Sequence, residues 1–412
     1  MRRFWLFLGI VLLGAAAVFV HEALQDPEVA VTTHEVIPPG EEAATARLVH
    51  RAMEVITEES KPDHFYKRDA HAKPHGCVRA VMTVNEDIPE ELRHGVFSEP
   101  GRVYRAWARY SNGTKPDDHE QDARGMAVKL LGVPGCKLLW KECDEATQDF
   151  VMIDYHTFFN RNVMEYEKFF NDQAAGHPEW FFLPPRRWHE AYHAFHMLHQ
   201  TFASPLAPKY YSMTAYKLGP HQNIKFSAQP CAVDGEAADT LQPFALGAGN
   251  EIIRDTQACA AAARKPDDAD DSPNFLRRAM VKHLEKSCAC FDFKVQLQDP
   301  SKNMPIEDPS IEWRTSDSPY RPVARLIVLR QAFNSDRQNR FCENLSFTPW
   351  HALPEHRPVG GLNRVRKAVY ANVSIRRHAR NGAPRREPTG WDIDLADSRE
   401  ILEPVVTSAA QQ

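Results

Sequence analysis

The chain has no long basic run: 55 Asp and Glu outnumber 50 Lys and Arg among its 412 residues, for a formal charge of -5. Phosphate backbones require clustered positive charge, so nucleic acid is disfavoured as the main partner. No CxxC pair occurs among the 8 cysteines, which makes them weak candidates for a metal knuckle. An internal repeat and a sustained low-complexity tract are also missing, and with them the case for a solenoid or a disordered polymer. The chain does have 43% hydrophobic content, over a length sufficient for one large domain or two ordinary ones.

Met1-Arg-Arg3 precedes an uncharged apolar run over residues 4–20. Two cations ahead of such a run send the downstream chain across a membrane. Its length is at the short limit for a spanning helix and slightly long for the core of a cleaved signal. Residues 1–24 therefore read as a signal anchor or a signal peptide, and continuation of the run beyond Ala17 favours the anchor. Either way the domain is expected on the extracytoplasmic, periplasmic side, tethered to the membrane by this segment or released after cleavage. The cysteines would then meet an oxidising compartment. Cys136 and Cys143, flanking a short hydrophobic stretch, are the expected pair, whereas Cys288-Ala-Cys290 is too tight for an easy mutual bridge.

Residues 25–40 read as a polar linker leading to a helix near Glu41–Glu58. Strand-like alternation comes next over residues 78–84, 102–110, 125–131 and 149–153, which points to an antiparallel sheet or barrel. Helical spacing appears over 163–170 and 186–203, strands resume over 210–218 and 223–228, a helix is expected over 274–286, and residues 291–297 and 324–329 read as strands. Strands mixed with separate helical blocks, not alternating βαβ units, make the fold class α+β. Residues 386–412 are polar and expected to be a loosely ordered tail.

Two segments carry chemistry. Tyr66-Lys-Arg-Asp-Ala-His-Ala-Lys-Pro-His-Gly76 is too rich in charge and turn formers for the buried face of a regular element, and reads as a shaped loop with His71 at its centre and Arg68 three residues before it. Residues 363–380 read as a helix after the turn Pro358-Val-Gly-Gly361, and at about 100° per residue Arg366, Tyr370 and Arg377 share one face. A guanidinium beside a phenol favours phenolate, a hard anion suited to ferric iron. Among haem proteins a tyrosinate ligand is associated with catalase chemistry.

Taken together, these segments resemble the haem catalase superfamily, in its short, catalase-related peroxidase branch. Arg68-Asp-Ala-His-Ala-Lys73 looks like the family's distal motif, Arg109-Tyr-Ser111 is similar to its Arg-Phe-Ser strand end, and Asp122-Ala-Arg-Gly-Met-Ala-Val-Lys129 resembles its Asp-Pro-Arg-Gly-Phe-Ala-Val-Lys segment. Arg366-x-x-x-Tyr370 falls where the family has its proximal ligand. The resemblance implies an antiparallel β-barrel of the catalase type, wrapped by helices, over residues 41–385, holding haem b and its iron. It implies His71 as acid–base catalyst, Ser111 hydrogen-bonded to the other ring nitrogen of His71, Tyr370 as iron ligand, Arg366 as its counter-charge, and Arg68, Arg109 and Arg377 as propionate clamps.

Departures from the family accompany the matches. The position best matching the distal asparagine is Asp154, which when ionised accepts hydrogen bonds without donating them. Ala70, before the distal histidine, replaces the valine of true catalases and the threonine of allene oxide synthases. The resemblance also implies a chain without the long arm and extra domain of larger catalases, hence a more open haem site. The expected function is a haem-dependent oxidoreductase acting on hydrogen peroxide or organic hydroperoxides. The alternatives are a fatty acid hydroperoxide-converting enzyme of the allene oxide synthase type and a non-catalytic haem-binding protein. No oligomeric state is specified.

Overall fold

A computed structural model describes residues 23–24, 26–58, 68, 71–139, 142–183, 187–232, 244–246, 252–254, 258–263 and 270–393. The apolar run over residues 4–20, Ala70 and residues 394–412 lie outside the described residues. Among the described residues no helix is long and apolar enough to cross a membrane.

Alternating residues build a closed barrel. In β1 (Pro74–Val84), Val78, Ala80, Met82 and Val84 point into one core while Cys77 and Val81 point into another. In β2 (Val103–Asn112), Tyr104, Ala106, Ala108 and Tyr110 share the first core and Trp107 the second. β3 (Arg124–Leu131) and β4 (Thr147–Ile153) extend this antiparallel meander. β5 (Tyr210–Tyr211) joins β4, β6 (Tyr216–Leu218) flanks β7 (Gln222–Pro230), and β8 (Phe244–Leu246) with β9 (Ile252–Arg254) forms a separate hairpin. β10 (Ala289–Leu297) pairs with β7 on one side and β11 (Arg321–Val328) on the other, and β11 pairs with β1. Eight strands therefore close in the order β1-β2-β3-β4-β5-β7-β10-β11, every pair antiparallel.

The barrel is filled. Phe97, Phe150, Phe226 and Phe293 interlock inside it, with Phe150–Phe293 ring centroids 4.9 Å apart. The cavity beside them, lined by Tyr216 and His356 among others, has a volume of ≈ 10 Å³, room for about one water. A large ligand has no place in that cavity.

Helices accompany the barrel. α1 (Glu41–Glu58), α2 (Val163–Ala174), α3 (Trp188–Leu198), α4 (Phe275–Leu284), α5 (Asp336–Asn344) and α6 (Gly361–Asn381) succeed one another in chain order. Ala44 and Leu48 of α1, Val163 of α2 and Leu362 and Val365 of α6 form one cluster. α6 starts after Gly360, whose φ of 89° and close approach to the Ile306 carbonyl admit no side chain. It stops at Gly382 in the left-handed conformation, φ 59°. The strand expected over residues 210–218 is two strands, β5 and β6, interrupted at Met213 with φ 59°.

Part of the linker, and the described residues at the start of the tail, pack on the domain. Glu35 of the linker accepts from Arg364 Nη1 at 2.8 Å and from Gly360 N at 3.0 Å, and the Thr33 carbonyl accepts from Asn223 Nδ2 at 3.0 Å. In the tail, Trp391 is buried: its Nε1 donates to the Ala106 carbonyl at 2.9 Å, while Trp107 Nε1 donates to the Gly390 carbonyl at 3.0 Å.

All eight cysteines are paired, as Cys77–Cys342, Cys136–Cys143, Cys231–Cys290 and Cys259–Cys288. The expected Cys136–Cys143 bridge is present, and Cys288 and Cys290 bond elsewhere. Cys77–Cys342 ties β1 to α5 across a separation of 265 residues. Removing it as Cys77→Ser with Cys342→Ser is expected to cost about 2–5 kcal/mol. Equilibrium denaturation of the variant would check this, and a loss below about 1 kcal/mol would count against a strong constraint.

Candidate functional site

His71 stands where the chain enters β1. Its backbone takes φ 56°, a left-handed conformation unusual for a residue with a side chain, and its N–H donates to the Gly113 carbonyl at 2.9 Å. The Nδ1–Cε1 edge of the imidazole lies against Gly125 of β3: a Cβ there would meet His71 Nδ1 at 2.6 Å and Cε1 at 2.8 Å. Glycine at this strand position is what lets the ring approach the sheet.

Beneath the loop is a buried polar network. Asp122 Oδ2 accepts from the backbone N–H of Thr114 and Lys115 at 2.7 and 2.8 Å. Asn112 Oδ1 accepts from Arg124 Nη1 at 2.6 Å and meets His75 Nε2 at 2.7 Å, and Lys73 pairs with Asp118 at 2.6 Å. The residues of the two sequence motifs thus interlock to hold one loop. Burial pushes the His71 imidazole down to about 4; Asp122 opposes this, and the guanidinium groups of Arg68 and Arg109 add to it.

Those two arginines converge on the end of α5. Arg68 Nη2 contacts Glu343 Oε1 at 3.2 Å, and its Nε and Nη1 are buried without a partner. Arg109 Nη1 donates to the Leu345 carbonyl at 2.9 Å, its guanidinium 4.2 Å from the ring centre of Phe347. Arg377 of α6 arrives from the other side, donating to the Glu343 carbonyl and to Ser346 Oγ, the latter at 3.3 Å. Among the described residues the single carboxylate in contact with Arg68 or Arg109 is Glu343. Burial holds the Arg109 guanidinium well below its ordinary value, Arg68 and Arg377 add to this, and Glu343 opposes them.

Further along α6, Arg366 Nη2 lies 3.3 Å from Tyr370 Oη, the guanidinium carbon 5.3 Å from the ring centre. Asn363 and Thr214 fix the arginine: Nη1 donates to Asn363 Oδ1 at 3.1 Å and to Thr214 Oγ1 at 3.4 Å. Asn363 is itself locked by the carbonyls of Ala215 and Val359, at 2.8 and 3.1 Å. Burial works to lower the Arg366 value, and Tyr370 and Tyr216 outweigh it, so the group is raised overall.

Two expected roles find no support in this geometry. Ser111 Oγ stands 3.0 Å from the same point above Gly125 as the His71 ring, yet Nδ1 is buried with no hydrogen-bond partner. Asp154 is turned away from His71. Ile153 pairs with Gly125, so it shares the face that His71 occupies, and the next residue points to the opposite side. There Asp154 Oδ1 accepts from Arg124 N at 2.9 Å, while Oδ2 is buried without a partner. Burial pushes this carboxyl up to about 7, with the Arg124 backbone and side chain opposing.

A carboxyl raised on folding contributes stability that is fully present below its unfolded value near 3.8 and is lost as pH rises through about 7. Asp154→Asn is therefore expected to gain roughly 2–3 kcal/mol over the natural chain between pH 5 and pH 8. Urea denaturation at the two pH values would reveal it, and an equal difference at both would place the ionisation elsewhere.

No family model matches the sequence, and no curated protein does. Solved structures do. The chain is similar to a fungal catalase (TM-score 0.55, 17% identity, 86% of this chain and 66% of that one), to catalase A from Saccharomyces cerevisiae (0.56, 17%, 86% and 70%) and to a bacterial catalase (0.53, 17%, 86% and 64%). The chain has a catalase-like fold. It spans about two thirds of the length of those catalases.

Within this catalase-like fold, several supporting residues escaped sequence reading. Glu343 lies on α5, whose sequence Asp-Arg-Gln-Asn-Arg-Phe-Cys-Glu-Asn offers only Phe341 and Cys342 as an apolar face. Asn363 could have been flagged from its place two residues after the double glycine that starts α6.

Proposed function

We propose that this chain is a haem-dependent oxidoreductase acting on hydrogen peroxide or organic hydroperoxides. The observation that carries the reading is the charge imbalance beside His71: among the described residues Arg68 contacts one carboxylate, Glu343, Arg109 donates to backbone carbonyls, and two nitrogens of Arg68 are buried without partners. Buried guanidinium groups need anions. The two propionates of haem b are carboxylates that arginine grips by paired, charge-assisted bonds. Arg377 joins the same cluster from α6, and Tyr370 stands seven residues earlier, roughly 10 Å along the helix axis. The residues present therefore fit a group with carboxylates at one edge and a metal that accepts a phenolate.

Haem, when bound, supplies a redox-active iron that makes a peroxide O–O bond cleavable. Tyr370 Oη would ligate that iron, with Arg366 beside it balancing the phenolate charge. Arg68, Arg109 and Arg377 would hold the propionates. His71 has Nδ1 turned onto Gly125, which leaves Nε2 for proton transfer. Neutral above about pH 4, it would take a proton from the entering hydroperoxide and return it to the departing oxygen, so that water or an alcohol leaves in place of an anion. Its lone anchorage through backbone and Gly125 would replace the Ser111 bond. Export belongs to the same proposal: four disulfides and the apolar run over residues 4–20 support a domain outside the cytoplasm, at or near a membrane.

Protein produced with ample haem is expected to carry a Soret band, and to release oxygen from hydrogen peroxide or consume a lipid hydroperoxide. Absence of the band would sink the haem reading. A band without either activity would sink the enzymatic one.

A further inference from the structure

Asp26, His189 and His193 belong to none of the networks above, yet their ligand atoms all lie within 4.8 Å of one another. His189 and His193 stand four residues apart on α3, so both imidazoles project from one helical face. Both are buried, at 6% and 5% exposure. Tyr155 Oη and Thr157 Oγ1 occupy His193 Nδ1 at 2.9 and 3.0 Å, which fixes the ring and leaves Nε2 as its free donor atom. His189 Nε2 is 4.0 Å from Asp26 Oδ1, and His189 Nδ1 is buried without a partner. Arg314 Nη2 grips the other carboxylate oxygen, Oδ2, at 3.1 Å and so turns Oδ1 toward the histidines.

We propose that Asp26, His189 and His193 bind one divalent transition-metal ion of the zinc class. Two imidazoles and a carboxylate are a donor set suited to such an ion and ill suited to magnesium or calcium, which take oxygen. Ligand atoms around tetrahedral zinc stand roughly 3.4 Å apart, so closing the site needs movement of about 1 Å. His189 would exchange its contact with the Ser310 carbonyl, 3.2 Å away, for the metal. Three protein donors leave a fourth position for water. The ion would also act as a fastener. Asp26 begins a strap whose Pro27, Thr32 and Thr33 carbonyls accept from Asn303, Gln298 and Asn223, and the metal would pin the start of that strap to α3. This site is independent of the haem reading.

The test is calorimetric titration of zinc sulfate into chelator-stripped protein without a histidine tag. The natural chain is expected to take up about one equivalent, and Asp26→Asn and His189→Gln to bind about 100-fold more weakly or not at all, since lost ligands and ligand supports cost at least this order. Circular dichroism would establish that both variants are folded; Asp26 lies on a surface strap, so its variant is the safer of the two. No zinc uptake by the natural chain, or uptake unchanged in folded Asp26→Asn, would overturn the proposal.

Discussion

His71→Ala is expected to lower peroxide-dependent turnover by roughly 10²–10⁴-fold while the Soret band persists, because a positioned general acid–base contributes about that much. Haem retention is expected because the residues proposed to hold it, Arg68, Arg109, Arg377 and Tyr370, lie on the chain before β1, on β2 and on α6, apart from the imidazole. The pH profile supplies a second readout. Since burial holds His71 down to about 4, the ring is neutral and ready to accept a proton from pH 7 down to about pH 5. Turnover of the natural chain is therefore expected to be flat across that span and to fall below about pH 4 as the ring protonates. The sign is that of a base lost on acidification. Gly125→Ala offers a subtler version, since its methyl group would stand 2.6 Å from Nδ1 and push the ring off the sheet. A rate loss without haem loss is expected there too. Turnover in His71→Ala that matches the natural chain would remove the histidine from the chemistry.

Tyr370→Phe is expected to change the haem spectrum away from a tyrosinate complex and to weaken haem retention by about ten-fold or more, as loss of a ligand costs at least what loss of its support does. Arg366, held at the spot by Asn363 and Thr214, then faces a phenyl ring with no oxygen to receive it. An uncompensated guanidinium in a partly buried site costs further stability. Arg366→Lys keeps the charge but loses the fork that reaches Asn363, Thr214 and Tyr370 together, so a smaller spectral change is expected. Absorption spectra and apo-myoglobin capture of released haem would measure both effects. An unchanged spectrum in Tyr370→Phe would assign the iron ligand elsewhere.

Legibility in the sequence tracked apolar pattern. α1 was readable to its ends because Ala44 and Leu48 recur at helical spacing and face α2 and α6. β2 was readable because its alternating residues divide between two cores, one inside the barrel and one outside. α5 was not, since it is polar and is anchored by a disulfide and by Ser335 capping Gln338 N at 3.2 Å. The contacts of residues 33–35 and of Trp391 were not readable for a related reason: they form through backbone carbonyls, ion pairs and a lone tryptophan, none of which leaves a period. At the site, the arginines, His71 and Tyr370 could be named as candidates because the short motifs that hold them resemble those of haem catalases in order and spacing. The orientation of Asp154 could not. One residue of shift in a strand reverses the face, and only the pairing of Ile153 with Gly125 fixes it.

Closure of the barrel constrains how the chain comes into being. β1 pairs with β2, its immediate successor, but its other edge is completed by β11, near the opposite end of the chain. A polypeptide emerging amino end first exposes that edge until residues 321–328 appear, on the order of ten seconds or more after the first four strands at ordinary synthesis rates. Val81 and Cys77 wait in the open for the same interval, since Ile327 and Cys342 cover them. Newborn chains interrupted between β4 and β11 are therefore the species most prone to stick to one another or to be captured by a holding chaperone. Ribosome-arrested chains ending before and after residue 342 would tell the two situations apart, with solubility expected to rise sharply in the longer set.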